Sequence, residues 1–270
     1  MDLSEQLTYA TTLINCYDAN GKHSAGTGFI MDLQEDENSL TCIPVLFTNY
    51  HVIENSQRTS FKLCKRDISG KPTDKDTYNF EFDSSLWVKH PDNDVDLCCL
   101  LLGPALNELR RAGIEIFYIP LSINMIPDEK EFGQLPAMED ILMLGYPIGL
   151  SDRVNNKPVI RKGATASHPG KDYQGKMEIL LDIPCFPGSS GSPVFIFNRG
   201  TYSTPGTVHV GDRVMLLGIA YGMITWKHDG NLKLANLPID VSPIGGTPIN
   251  LGVSIKSLRL LDFKTILTRR

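Results

Sequence analysis

The chain has 270 residues, 41% of them apolar and 21% charged, with a formal net charge of −5 at pH 7. That length buries a sizeable core in one large domain or two small ones, and the balance excludes disorder, collagen-like and coiled-coil architectures. The acidic excess argues against a protein whose work is neutralising phosphates, so no nucleic acid is expected as a partner.

The N-terminal Met1-Asp2-Leu3-Ser4-Glu5 has neither the basic nor the apolar region of a secretion signal. Leu3, Leu7, Thr11 and Ile14 recur every three or four residues and predict a short helix. Beyond it, 23 glycines and 17 prolines break the chain into short apolar segments, the rhythm of many antiparallel strands. Predicted strands are Ser24–Met31, Thr41–Thr48, Ser60–Leu63, Phe80–Phe82, Leu97–Leu101, Ile141–Tyr146, Val159–Ala166, Glu178–Ile183, Pro193–Phe197, Val214–Tyr221 and Leu251–Ser254. None of the apolar runs, Ile141 to Leu144 and Val214 to Ala220 included, is long enough to span a bilayer, and no membrane partner is expected. Lys65 to Asn79 and Asn198 to Asp212 read as surface loops, and Gly103 to Arg111 as a polar, briefly helical connector between two strand-rich halves. Ile255, Leu258, Leu261 and Leu267 predict a closing helix, whose dipole Arg269-Arg270 would suit. Two β-domains in this order place an active site in the cleft between them.

The cysteines, Cys16, Cys42, Cys64, Cys98, Cys99 and Cys185, form no CxxC pair and no zinc-site spacing. In a chain of this size without a leader they read as reduced, buried thiols, and the compartment as the cytoplasm. Cys98 and Cys99, adjacent on a strand, must point to opposite faces. The histidines, His23, His51, His90, His168, His209 and His228, are scattered without an HxH or HxxxH pair, so neither a metal nor another cofactor is expected.

Three places carry possible chemistry. Phe186-Pro187-Gly188-Ser189-Ser190-Gly191-Ser192-Pro193 sets a serine between glycines at a tight turn before an apolar strand. A nucleophilic serine needs such a turn, with backbone N–H groups free to hold an oxyanion. A Gly/Ser-rich hairpin turn without catalytic meaning uses the same residues. Phe47-Thr48-Asn49-Tyr50-His51 ends an apolar strand in a histidine, more often a structural residue than a catalytic one. In His90-Pro91-Asp92-Asn93-Asp94-Val95-Asp96 most aspartates are solvated, and Asp96, at the strand junction, is the one expected to be partly buried and to need a partner. The chain order His51, Asp96, Ser190 is that of the double β-barrel hydrolases. The α/β-hydrolase order would draw on His209, Asp212, His228 or Asp229, but Ser192 stands where that elbow wants glycine, and no βαβ alternation surrounds it.

Gly26-Thr27-Gly28-Phe29-Ile30, Thr48-Asn49-Tyr50-His51-Val52, Asp96-Leu97-Cys98-Cys99-Leu100, Gly145-Tyr146-Pro147-Ile148-Gly149 and the Pro187–Pro193 turn follow one another as in chymotrypsin/trypsin-like serine proteases. The Gly145–Gly149 and Thr48–Val52 blocks most resemble the bacterial HtrA/Deg-type branch, and the family resemblance spans roughly Cys16 to Lys256. It implies an all-β fold of two six-stranded antiparallel β-barrels with short terminal helices. Residues 1–110 would carry the first barrel with His51 and Asp96, and 111–270 the second with Ser190, together one protease unit. Ser190 then matches the nucleophile, His51 the general base and Asp96 its orienting carboxylate, with the N–H groups of Gly188 and Ser190 as the oxyanion hole. Gly218 to Gly222 resembles the strand on which substrate backbones pair, and Phe186, Ala220, Tyr221, Gly222 and Met223 match the substrate-binding positions.

Departures bear on function. Ser189 replaces the Asp of zymogen-activated members, so activation by N-terminal cleavage is not expected. No acid sits near Pro184-Cys185-Phe186, and a pocket partly closed by Met223 would favour aliphatic or medium-sized side chains over Lys or Arg. With so few residues after the second barrel, the PDZ domain of HtrA proteases is not expected. The expected partners are a peptide or protein substrate and an activating or regulatory protein. The competing readings are a latent or inactive protease-fold module that binds peptides, and an esterase acting on small molecules.

Overall fold

The computed structural model describes residues 1–34, 42–204, 206–226, 232–236 and 247–267. Helix α1 (Leu3–Thr8) starts on Asp2, whose carboxylate accepts from the Glu5 N–H. It stops short of the expected span, because Thr11 and Ile14 belong to strand β1 (Thr11–Tyr17). The β-branched Thr11, Thr12 and Ile14 suit a pleated strand better than a helix.

The first sheet continues through β2 (His23–Asp32), β3 (Pro44–Thr48), the one-turn α2 (Tyr50–Ile53), β4 (Arg58–Arg66), β5 (Pro72–Asp83), β6 (Val88–Lys89) and β7 (Cys98–Leu101). Helix α3 (Gly103–Arg111) forms the connector, and the short β8 (Ile116–Phe117) and β9 (Leu121–Ser122) return to pair with β4 and β2. The resulting nine-stranded sheet runs β5-β4-β1-β2-β3-β7-β6 along its main path. Two short strands beyond residue 110 thus still belong to it.

After α4 (Glu129–Gln134), the second sheet is built from β10 (Asp140–Gly145), β11 (Val159–Thr165), β12 (Glu178–Asp182) and β13 (Ser192–Asn198). The hairpin β14 (Thr201–Thr204)–β15 (Thr207–Val210) follows, then β16 (Arg213–Trp226), β17 (Leu232–Asn236), β18 (Thr247–Lys256) and the last helix α5 (Asp262–Leu267). Its order is β13-β10-β11-β12-β18-β16, and the β13–β16 pairing closes these six strands into a barrel, with β17 added on β16. The fold is mostly β and chymotrypsin-like, with this closed barrel beside the first sheet.

Both segments read as loops contain strands. Residues 65–79 are largely the β4–β5 hairpin, its turn closed by Asp67, which accepts from the Ser69 and Lys71 N–H groups. Residues 198–212 hold the β14–β15 hairpin. At the C-terminus Ile255 still belongs to β18, which ends at Lys256, and α5 begins only at Asp262. Arg269 and Arg270 lie outside the described residues.

Two apolar clusters fill the separate halves, one around Ile14, Phe61 and Leu100 and one around Met143, Leu181 and Val194. A third joins the halves: Phe29 and Phe47 pack with Phe195, Ile219, Val253 and Phe263 of α5. Cys98 faces the first-half cluster and Cys99 the shared one, on opposite faces of β7 as strand geometry demands. None of the six cysteines, all among the described residues, is in a disulfide; five are buried, and Cys42 is exposed, against expectation.

Candidate active site

The register of β3 against β7 brings the first two groups together. Thr48 pairs with Cys98, so His51, on α2 just past the end of β3, meets Asp96 just before β7. The His51 N–H donates to Asp96 Oδ1 at 2.9 Å, and His51 Nδ1 lies 2.5 Å from Asp96 Oδ2. Asn49 fixes the other side of the aspartate, its Nδ2 donating to the Asp96 carbonyl at 2.8 Å. A proton on Nδ1, held by Asp96, leaves Nε2 as an acceptor, and Ser190 Oγ lies 2.9 Å from it. The same hydroxyl lies 3.2 Å from the Tyr221 carbonyl. The His51 and Asp96 side chains keep 11% and 24% of their exposure, so the imidazole is the more shielded of the two, and Ser190 is fully buried.

The serine turn is held from several sides. Gly188 and Gly191 sit at φ +89° and +86°, a region that favours glycine. A side chain at Gly191 would also run into the Thr27 carbonyl. The Pro187 carbonyl accepts from the Ile148 N–H at 2.5 Å, and the Gly188 carbonyl from Thr27 Oγ1 at 2.9 Å. Since the Pro187–Gly188 peptide is trans, its N–H lies on the side away from Ile148. Ile148 makes this contact from φ +52°, a conformation that costs a β-branched residue about 1–3 kcal/mol.

Thr27 is the hub that the sequence did not single out. Its N–H donates to the Ser190 carbonyl at 2.8 Å, its carbonyl accepts from Thr48 Oγ1 at 2.7 Å, and its hydroxyl accepts from the Tyr146 N–H at 3.0 Å. Gly145 beside it has no room for a side chain against Ser192. The motif blocks thus converge on one buried junction between the sheets.

Arg161 of β11 was missed as well. Its guanidinium donates to the Pro184 carbonyl and, at 2.8 Å, to Ser189 Oγ, which also accepts from the Phe186 N–H at 3.2 Å. It lies 5.8 Å from the Phe186 ring centre. Burial lowers its pKa, and among the described residues no carboxylate stands within ion-pair distance of it. Ser189 is fully buried, so the position before Ser190 is tied to a strand arginine.

The proposed substrate positions divide. Phe186 is exposed, whereas Ala220, Tyr221 and Met223 are buried, Met223 in the second-half cluster together with Cys185. The Ala220 carbonyl accepts from the Gly191 N–H at 2.8 Å. The β16 edge beyond Tyr221 is not open, because Gly222 to Trp226 already pair with β17. A cavity of about 580 Å³ beside Asp96 and Tyr221 is lined by Asp94, Lys176, Glu178 and Arg259 among others.

The residues of the alternative order stand elsewhere. His209 stacks on Tyr202 and bonds Thr204 Oγ1, and Asp212 accepts from the Gly200 N–H; His228 and Asp229 lie outside the described residues. Among the described residues no group of three or more His, Cys, Asp or Glu is placed to hold a metal ion, and no helix is long and apolar enough to cross a membrane.

A model of the trypsin-like peptidase domain matches residues 26–202, and the chain belongs to that family. No curated protein sequence matches it. Among solved structures it is similar to the HtrA-type protease AlgW with tripeptide, at TM-score 0.52 and 15% identity, covering 98% of this chain and 62% of that one. The chain therefore spans less than two thirds of that relative. It also resembles the apo MamO protease domain from Magnetospirillum magneticum, at TM-score 0.46 and 11% identity over 99% of both chains. A further similarity is to the inactive Ser343Ala form of Rv3671c from M. tuberculosis H37Rv, at TM-score 0.45 and 13% identity over 97% of this chain and 88% of that one.

Proposed function

We propose that the protein is a serine endopeptidase that cleaves peptide bonds through Ser190, His51 and Asp96. The observation that carries this reading is the chain of contacts from Asp96 Oδ2 to His51 Nδ1 at 2.5 Å and from His51 Nε2 to Ser190 Oγ at 2.9 Å.

Ser190 Oγ attacks the scissile carbonyl carbon as its proton passes to His51 Nε2, and the carbonyl oxygen becomes an oxyanion. Asp96 stabilises the imidazolium and holds its tautomer. The N–H groups of Gly188 and Ser190 receive the oxyanion; such a donor is typically worth about 2.7–4 kcal/mol in the transition state. The carbon–nitrogen bond then breaks, and the amine leaves with the proton from His51. Water attacks the acyl-enzyme by the same steps in reverse, His51 taking its proton, and frees Ser190.

The substrate is a peptide or protein, and we place the reaction in the cytoplasm on the reading of the cysteines. Neither a metal nor a cofactor takes part in the steps above. Cleavage of an unfolded protein substrate by the wild type, abolished in a folded Ser190→Ala variant, tests the reading. Full activity of that variant would sink it. Turnover of simple esters with no peptide cleaved would favour the esterase instead.

A further inference from the structure

β16 carries a strand on each side. Up to Ala220 its neighbours are β13, through Ser192↔Ala220, and β18, through Ala220↔Ser254. The β13 side is released where the chain turns away at Ser190, whose Oγ lies 3.2 Å from the Tyr221 carbonyl. Past that point β18 keeps its side, pairing with Gly222, Met223, Thr225 and Trp226. The vacated side begins beside the nucleophile and would be an open row of backbone donors and acceptors, the edge on which an extended peptide adds as a strand.

That edge is taken by the chain itself. β17 runs antiparallel along it in continuous register: Gly222↔Asn236, Met223↔Ala235, Ile224↔Leu234, Thr225↔Lys233 and Trp226↔Leu232. Two strands cannot bond the same edge, so a peptide extended beside Ser190 and β17 exclude each other.

We propose that β17 is a built-in competitor for the substrate backbone, so that the protease rests closed to extended peptides and opens when residues 232–236 leave the β16 edge. The inference rests on the peptidase reading above and adds its regulation. The natural opener is a polypeptide that supplies an extended strand to Gly222–Trp226, either the substrate itself or a partner that draws β17 away. A strand tethered in the same chain competes at an effective concentration of order millimolar. A peptide at micromolar concentration must therefore pair about a thousandfold more tightly than β17, or wait for it to be removed. Ser190 is fully buried, but β17 pairs with Gly222 to Trp226 and makes no pair with Ser190, so locking β17 leaves the access of a small acylating or phosphonylating reagent to that hydroxyl unchanged.

The test separates edge from nucleophile. Ile224 and Leu234 are register partners, at the spacing a disulfide spans, and Ile224→Cys with Leu234→Cys in a Cys42→Ser background locks β17 in place. Two rates are read, labelling by a small fluorophosphonate and cleavage of an extended peptide. The locked protein is expected to label at the wild-type rate and to cleave the peptide at least ~10-fold more slowly, with dithiothreitol restoring cleavage. Leu234→Pro, which removes a strand N–H, is expected to lower KM for the peptide at least ~10-fold with kcat little changed. Equal peptide cleavage by locked and reduced protein overturns the proposal while labelling upholds the peptidase reading. Absent labelling in every form sinks that reading instead. In that event, binding of a fluorescent extended peptide to the Ser190→Ala protein, with and without Leu234→Pro, still decides: tighter binding to the proline variant supports the competitor, equal binding overturns it.

Discussion

The Thr27 hydroxyl donates to the Gly188 carbonyl at 2.9 Å, tying a strand of the first sheet to the turn that presents Ser190. Because the same hydroxyl accepts from the Tyr146 N–H, one buried atom fixes the serine turn and the segment leading to Ile148 together. Thr27→Val keeps the shape and leaves a buried carbonyl and a buried N–H without this partner. The expected cost is about 1–3 kcal/mol of stability, with fluorophosphonate labelling slowed further than the loss of folded protein explains. Chemical denaturation and labelling rates on the same sample check it; an unchanged labelling rate would remove Thr27 from the support of the turn.

In the proposed mechanism Asp96 acts through His51. Asp96→Asn keeps a side chain of similar size, but its amide can present N–H to Nδ1 and drive the ring to the wrong tautomer, a change that in the serine triad lowers kcat about 10⁴-fold. Circular dichroism should be unchanged and steady-state turnover nearly lost. A near wild-type rate would move the orienting role to Asp94 or Asp92.

Arg161 spans the ends of the segment before Ser190, from the Pro184 carbonyl to Ser189 Oγ. Arg161→Met preserves the apolar stem and removes the fork, and should slow labelling of Ser190 by roughly 10-fold or more as the turn loosens. Arg161→Lys keeps the charge without the fork and should recover only part of the rate. Stopped-time labelling of the three proteins, normalised to folded fraction, measures the difference; full recovery by lysine would show that charge alone matters.

A second tie between the halves is sensitive to acid. Asp74 of β5 lies 2.9 Å from Lys157 Nζ and accepts from Tyr9 Oη at 2.8 Å. Burial works to raise the Asp74 carboxyl, but the bonds from Lys157 and Tyr9 outweigh it and hold its pKa below the ordinary 3.8. A carboxyl depressed on folding adds stability that is fully present above its unfolded value and is lost as pH falls through the folded one. Wild type should therefore lose stability below about pH 4 more steeply than Asp74→Asn. Melting temperatures of the two proteins between pH 2 and 6 test it, and parallel curves would contradict it.

The three residues proposed to react stand out in the sequence because each sits in a local pattern that such chemistry demands: glycines around Ser190, a strand end at His51, an aspartate at a strand start. Their assembly was legible only through the order of the blocks, since the pairing of β3 with β7 is a long-range fact. Polar strands were missed where one face meets water, as in β5 and in the β14–β15 hairpin, because their composition is that of a loop. The helical period of Leu3, Leu7, Thr11 and Ile14 matched a helix on spacing alone, although β-branched Thr11 and Ile14 continue as a strand. Arg161 leaves no trace in a pattern, and Thr27 lies in the Gly26–Ile30 block without a role that the block itself reveals; both roles exist only once distant segments meet. β17 was invisible for the same reason, as nothing in Leu232–Asn236 says which edge it will cover.

The central claim is that Ser190 is an activated nucleophile. Intact-mass analysis after fluorophosphonate treatment of the wild type and of Ser190→Ala tests it most directly. The account predicts one adduct on the wild type and none on the variant. No adduct on the wild type, or an equal adduct on both, would contradict it.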